Sequence, residues 1–267
     1  MFASEPGCGA KQPPRPPAAH AGLVAIVAAI PEEFDAIAKF VSEGLRLRAG
    51  YDDRGLLLKG RMVGAAVLLA MTGDGEARAE RGVSFLLGEF PVSLLVGLGA
   101  AGALDSSLRA GEILVASRVV DEAGEAPAPD VALIARAVAL GAKPATFVTV
   151  ARPITSSREK SEVARRFGGA DTTAVVDMES AAWARAATSR GVPYAILRAV
   201  SDTFDEELPA FLSSCMAADG SVGRAAVARR LVLHPSALPQ LLRVRRRVRD
   251  GAGALGLFLE RLLPEKI

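Results

Sequence analysis

Short runs rich in Val, Ile and Leu alternate along the chain with longer stretches of helical period. The runs cover 23–29, 56–60, 65–71, 93–97, 112–119, 145–150, 173–177 and 194–200, and each is predicted to be a strand. Several are apolar throughout, which suits strands covered on both faces. Helical patterning occupies 31–43, 75–89, 130–140, 157–167, 178–190 and the region after 209. Strand-helix alternation of this kind implies an α/β fold: a three-layer αβα single domain around a central mixed, mostly parallel sheet. The chain has 267 residues, half of them hydrophobic, enough for one sizeable core. No internal repeat or linker divides it.

The ends read differently. Residues 1–21 hold Pro6, Pro13, Pro14, Pro16 and Pro17 and are expected to form a disordered leader. The apolar run Leu23–Ile30 is too short to span a bilayer as a helix and flows into PEEFDAI, so a buried first strand is preferred over a secretory signal. Residues 236–267 are set apart as a basic, amphipathic helical tail. Arg243, Arg245, Arg246, Arg247 and Arg249 interleave there with Leu238, Leu241, Leu242, Val244 and Val248. Such a helix can lie on an anionic membrane surface, or it can pack on the sheet with its charges in solvent. The chain is read as cytoplasmic, with contact at the inner membrane as the membrane-facing variant.

Bulk properties remove several function classes. A net charge of +2 and only 5% aromatic residues give no case for nucleic-acid binding. Cys8, Cys215, His20 and His234 have no metal-ligand spacing, so no metal site is expected. The same scarcity of histidine argues against a Ser-His-Asp hydrolase. Gly97-Leu98-Gly99-Ala100-Ala101-Gly102 spells GxGxxG after a strand, but Gly111 and a new strand follow before a crossover helix could form. The dinucleotide reading is therefore rejected. These glycines either let the backbone approach a small ligand or form a tight turn.

Three acidic clusters fall where strands end: Glu32-Glu33, Asp177-Met178-Glu179 and Ser201-Asp202. Ligands of α/β sheets bind outside the carboxyl ends of strands, so carboxylates converging there look like a site. Acids at helix starts also serve as caps and dipole partners, and Glu32 fits that role well. Glu179 and Asp202 fit it less well, being flanked by apolar runs. Cleavage of an N-glycosidic bond would use such a set. One acid protonates the leaving base, one carboxylate holds the sugar and its developing positive charge, and another orients water. An aspartic acid, with an ordinary pKa of about 3.9, needs surroundings that raise it to serve as the acid near neutrality.

The run VVDMESAAWARAATSRGVPYAILRAVSDTFDE resembles the signature region of the purine nucleoside phosphorylase/uridine phosphorylase superfamily, near the methylthioadenosine/adenosylhomocysteine nucleosidase branch. AAIPEEFDAI, TGDGEARAERG and GLGAAGALDSSLRAGEILVA are similar to further motifs of that branch, and the similarity covers roughly 23–205. It implies that 22–235 is the catalytic domain. It further implies Asp202 as general acid at the purine N7 with Ser201 supporting it, Glu179 on the ribose hydroxyls, Met178 against the sugar, and Glu33 orienting water. Ile154 and Thr155 fall near the family's purine contacts, and Gly99 and Ala100 line the reaction centre. Ala100 departs from the branch, which has a serine there. Phosphorolysis is the alternative to hydrolysis; Gly73, Gly75 and Arg78 would then cradle inorganic phosphate. No other cofactor is implied.

The tail DGSVGRAAVARRLVLHPSALPQLLRVRRRV resembles the hopanoid-associated phosphorylase subgroup. That implies a lipid-linked nucleoside, adenosylhopane, from which adenine is released. A soluble methylthioadenosine-type nucleosidase and a phosphate-dependent phosphorylase are the competing enzymes, and a non-catalytic nucleoside-binding module is the remoter alternative. The resemblance also suggests a homodimer.

Overall fold

A computed structural model describes residues 22–48, 55–168, 173–217 and 220–263. The expected leader, with Cys8 and His20, lies outside the described residues. The strands are β1 (Leu23–Ala28), β2 (Ser42–Arg48), β3 (Leu56–Met62), β4 (Ala65–Met71), β5 (Val92–Ala103), β6 (Ile113–Asp121), β7 (Gly124–Glu125), β8 (Lys143–Thr149), β9 (Ala174–Asp177) and β10 (Tyr194–Asp202). The helices are α1 (Pro31–Ile37), α2 (Glu76–Glu89), α3 (Val131–Ala139), α4 (Ser157–Val163), α5 (Ser180–Ser189), α6 (Arg224–Leu233) and α7 (Leu238–Leu262).

All strands join one mixed sheet in the order β10-β6-β8-β9-β5-β1-β4-β3-β2, with β7 pairing β6. β10 also pairs in parallel with β5, so β5, β10, β6, β8 and β9 close into a ring. The parallel pairs are β1–β4, β1–β5, β5–β10, β6–β8 and β8–β9. The antiparallel pairs lie at the β2-β3-β4 edge, where β10 and β7 meet β6, and between β5 and β9. Apolar side chains on both faces make two core layers. One packs under α2 and α5, around Val83, Leu86 and Trp183. The other packs under α1, α3 and α7, around Phe34, Ile37, Leu133 and Leu259.

Three local differences from expectation matter. The helix expected over 31–43 ends at Ile37, continues as a single 3-10 turn, and gives way to β2. Glu43 has φ 54°, a left-handed conformation that no helix interior adopts, and β2 then runs fully exposed along the sheet edge. The strand expected over 93–97 runs on to Ala103, so the glycine-rich segment is strand and not a turn. Finally, the C-terminal segment is not a separate appendage. Leu255, Phe258, Leu259 and Leu262 of α7 are buried in the second core layer. Among the described residues no helix is long and apolar enough to cross a membrane.

Candidate active site

The carboxyl ends of β1, β5, β9 and β10 open on a cavity of about 940 Å³. Of the residues singled out from sequence, Glu33, Met178, Glu179, Ser201, Asp202, Ile154, Ala100, Gly73 and Arg78 line it. Thr155, Gly99 and Gly75 do not line it. Thr155 donates its N–H and hydroxyl to Glu159 at 3.0 and 3.2 Å. Gly75 instead donates its N–H to Glu179, and Gly99 lies close against Glu33 and Arg198.

Glu33 sits in the first turn of α1, where the backbone after β1 has donors to spare. Its Oε2 accepts the N–H of Ala29 at 3.0 Å and of Ile30 at 3.3 Å, and its Oε1 accepts Ala100 N–H at 2.9 Å. Burial pushes this carboxyl above its ordinary range, while Arg198 and those three amides oppose the rise. Glu179 stands at the start of α5, and its Oε1 accepts Gly75 N–H at 3.0 Å. Burial pushes it up to about 8, against the pull of the Arg198 guanidinium and helped by the neighbouring Asp177 charge.

Arg198 anchors this group. It is 1% exposed in the middle of β10. Its guanidinium lies over the Trp183 ring, 4.8 Å from the centroid. Nε donates to Asp177 Oδ2 at 3.1 Å, Nη2 donates to Ser180 Oγ at 3.0 Å, and Nη2 stands 3.5 Å from Glu179 Oε2. Asp177 in turn accepts Thr149 Oγ1 at 2.9 Å and the N–H groups of Glu179 and Ser180 at 3.2 and 3.1 Å, which caps α5. The glycines of β5 now have a physical reason. A Cβ on Gly99 would stand 2.2 Å from Arg198 Nη1 and 2.8 Å from Glu33 Oε1. One on Gly102 would stand 2.9 Å from Asp202 Oδ2.

Asp202 ends β10. Ser201 Oγ donates to its Oδ1 at 2.7 Å, and Lys160 Nζ donates to its Oδ2 at 2.6 Å. The Asp202 carboxyl is therefore held between a hydroxyl and the fully buried Lys160 side chain. Sequence reasoning gave Arg198 no role and missed Lys160. A lone arginine inside the apolar run YAILRAV was a readable sign of a buried carboxylate partner. Lys160 gave no such sign, because α4 carries charges on every side.

Much of the remaining lining is aliphatic, with Glu32, Asp74, Asp177, Arg224 and Arg245 among it. Leu212, Val227, Leu231, Leu241 and Val248, from the 3-10 turn after Pro209 and from α6 and α7, line the same cavity as the carboxylates. Arg224 and Arg245 tie α6 and α7 to Glu32 at 2.7 and 3.1 Å, so Glu32 clasps the rim. The supposed outer helix thus supplies one wall of the site.

A buried set of carboxylates thus surrounds one guanidinium at the strand ends of an α/β sheet. Residues 23–229 match the family described as the Phosphorylase superfamily, and the chain belongs to it. It is 28% identical over 176 residues to a 5′-methylthioadenosine/S-adenosylhomocysteine nucleosidase of Colwellia psychrerythraea, covering 57% of this chain and 72% of that protein. It is 28% identical over 169 residues to the nucleosidase of that name from Geobacillus kaustophilus, covering 56% and 72%. The fold matches the Neisseria meningitidis nucleosidase in complex with methylthio-immucillin-A, with a TM-score of 0.69 at 20% identity, over 90% of this chain and 98% of that one. It matches futalosine hydrolase of Helicobacter pylori equally, with a TM-score of 0.69 at 17% identity, over 90% and 97%.

Proposed function

We propose that the protein hydrolyses the N-glycosidic bond of an adenine nucleoside whose 5′ substituent is a lipid, adenosylhopane being the substrate the tail resemblance suggests. The observation that carries this is the lining of the cavity, which combines the carboxylates with aliphatic side chains of α6 and α7. A nucleoside core placed on Glu33, Glu179 and Asp202 would direct its 5′ substituent toward a wall that favours hydrocarbon.

In this reading Asp202, steadied by Ser201, protonates N7 of the leaving base. Glu179 holds the ribose hydroxyls, Met178 packs on the sugar, and Ile154 borders the base. Glu33 orients water and takes its proton as the oxygen adds to the anomeric carbon. Water is favoured over phosphate as the nucleophile. The N–H groups of Ala29, Ile30, Ala100 and Gly75 are already donated to Glu33 and Glu179, so they are not open to a phosphate. Phosphorolysis at Gly73, Gly75 and Arg78 is the competing reading, as is a soluble nucleosidase of the methylthioadenosine type.

A lipid substrate also suits contact with an anionic membrane. Val232 and Leu233 of α6 are 81% and 67% exposed beside Arg229 and Arg230, and Leu238 and Leu242 project at the rim. A homodimer accords with the family resemblance. The test of the chemistry is Asp202→Asn, which is expected to bind nucleoside yet lose base release by about 100-fold or more. Turnover near that of the parent protein would remove Asp202 from the role of acid.

A further inference from the structure

Lys160 is buried to 0% exposure, and all three of its N–H bonds are spoken for. They point to Asp202 Oδ2 at 2.6 Å, Thr203 O at 2.6 Å and Glu206 O at 3.1 Å. α4 spans only seven residues, and a methionine would fill the same space without a buried charge. A buried ammonium aimed at the acid calls for a function beyond packing.

We infer that Lys160 is a positioning residue for the leaving-group proton: it fixes the Asp202 carboxyl and stabilises the carboxylate that forms as the base departs. The inference rests on the nucleosidase reading above. Ser201 holds Oδ1 and Lys160 holds Oδ2, so the carboxyl has one orientation in the cavity. When the C1′–N9 bond breaks, its electron pair passes to the purine and the Asp202 proton moves to N7. Asp202 is left as a carboxylate against the Lys160 ammonium, so negative charge develops where a cation already waits. Water supplies hydroxide to C1′ and its remaining proton to Glu33. Lys160 gives up no proton and touches no substrate.

The same lysine braces the apolar wall. Its bonds to Thr203 O and Glu206 O hold the turn leading to Leu208, which lines the cavity. The Glu206 carboxylate pairs with Arg247 of α7, and Arg247 donates to Ser201 O at 3.2 Å. Asp202, Lys160, Glu206, Arg247 and Ser201 therefore close a ring between the acid and α7.

The test compares the parent protein with Lys160→Met and Lys160→Arg on methylthioadenosine and on 4-nitrophenyl β-D-ribofuranoside, whose phenolate leaves with little need of a proton. Lys160→Met is expected to lower kcat for adenine release about 100-fold with KM within about threefold, and to cost less than about tenfold on the nitrophenyl riboside. Lys160→Arg is expected to recover at least about tenfold of the loss. A kcat within about threefold of the parent in Lys160→Met overturns the inference, as does an equal loss on both substrates. If Lys160→Met fails to fold, Lys160→Gln takes its place under the same criteria. If the parent leaves the nitrophenyl riboside intact, the division between kcat and KM and the arginine rescue decide. A parent protein that releases no adenine from any nucleoside refutes the proposed function instead.

Discussion

Replacing Glu179 by Gln should reshape how the stability of this protein depends on pH. Glu179 is buried beside Asp177, and its carboxyl is pushed from an ordinary 4.5 up to about 8. Between those values the folded protein holds a proton that the unfolded chain has released. The contribution of Glu179 is therefore fully present below about pH 4.5, falls as pH rises through the window, and levels off above about 8. At 1.36 kcal/mol per pKa unit the ceiling is about 4–5 kcal/mol. Glu33 and Asp177 share the Arg198 charge, so about 2–3 kcal/mol is the expected net effect. Gln keeps the shape and an oxygen for Gly75 N–H but cannot ionise. Urea unfolding at pH 5 and pH 8 should show the variant gaining about 2–3 kcal/mol relative to the parent between the two. A gain below about 0.5 kcal/mol would mean that Glu179 does not hold its proton near neutrality, and the account of the buried cluster would be wrong.

Three further outcomes follow from the geometry. Gly99→Ala places a methyl 2.2 Å from Arg198 Nη1, so it should displace the guanidinium and lower kcat by about tenfold or more, read in steady-state kinetics. Leu259→Ala, at a fully buried position of α7, should cost about 2–5 kcal/mol in chemical unfolding; a cost near zero would return α7 to the status of a detached tail. Vesicles of anionic lipid should co-sediment the protein at low salt and neutral vesicles should not, and reversing Arg229 and Arg230 to Glu should abolish the difference.

The order of elements was largely legible, because apolar runs of strand length leave few alternatives once helical stretches separate them. Edge strand β2 was not. It buries nothing, and its boundary depends on the backbone of Glu43. The acidic ends of β9 and β10 pointed to the site because carboxylates at buried strand ends must meet something. What they meet is a tertiary property. Lys160 comes from a different helix, and the aliphatic wall comes from a segment whose arginines suggested an outer surface. Only when α7 packs against β10 and α1 do its leucines come to line the same cavity as Glu33 and Asp202. The GxGxxG run continues strand β5 instead of opening a helix, and its glycines allow the close approach of Arg198, Glu33 and Asp202 to β5.

The most direct measurement is adenine release by the purified protein from a detergent-dispersed adenosyl lipid and from methylthioadenosine, each with and without phosphate. The account predicts release from the lipid without phosphate, at a higher kcat/KM than from methylthioadenosine. Strict dependence on phosphate would contradict the role of Glu33, and release from methylthioadenosine alone would contradict the role assigned to the aliphatic wall.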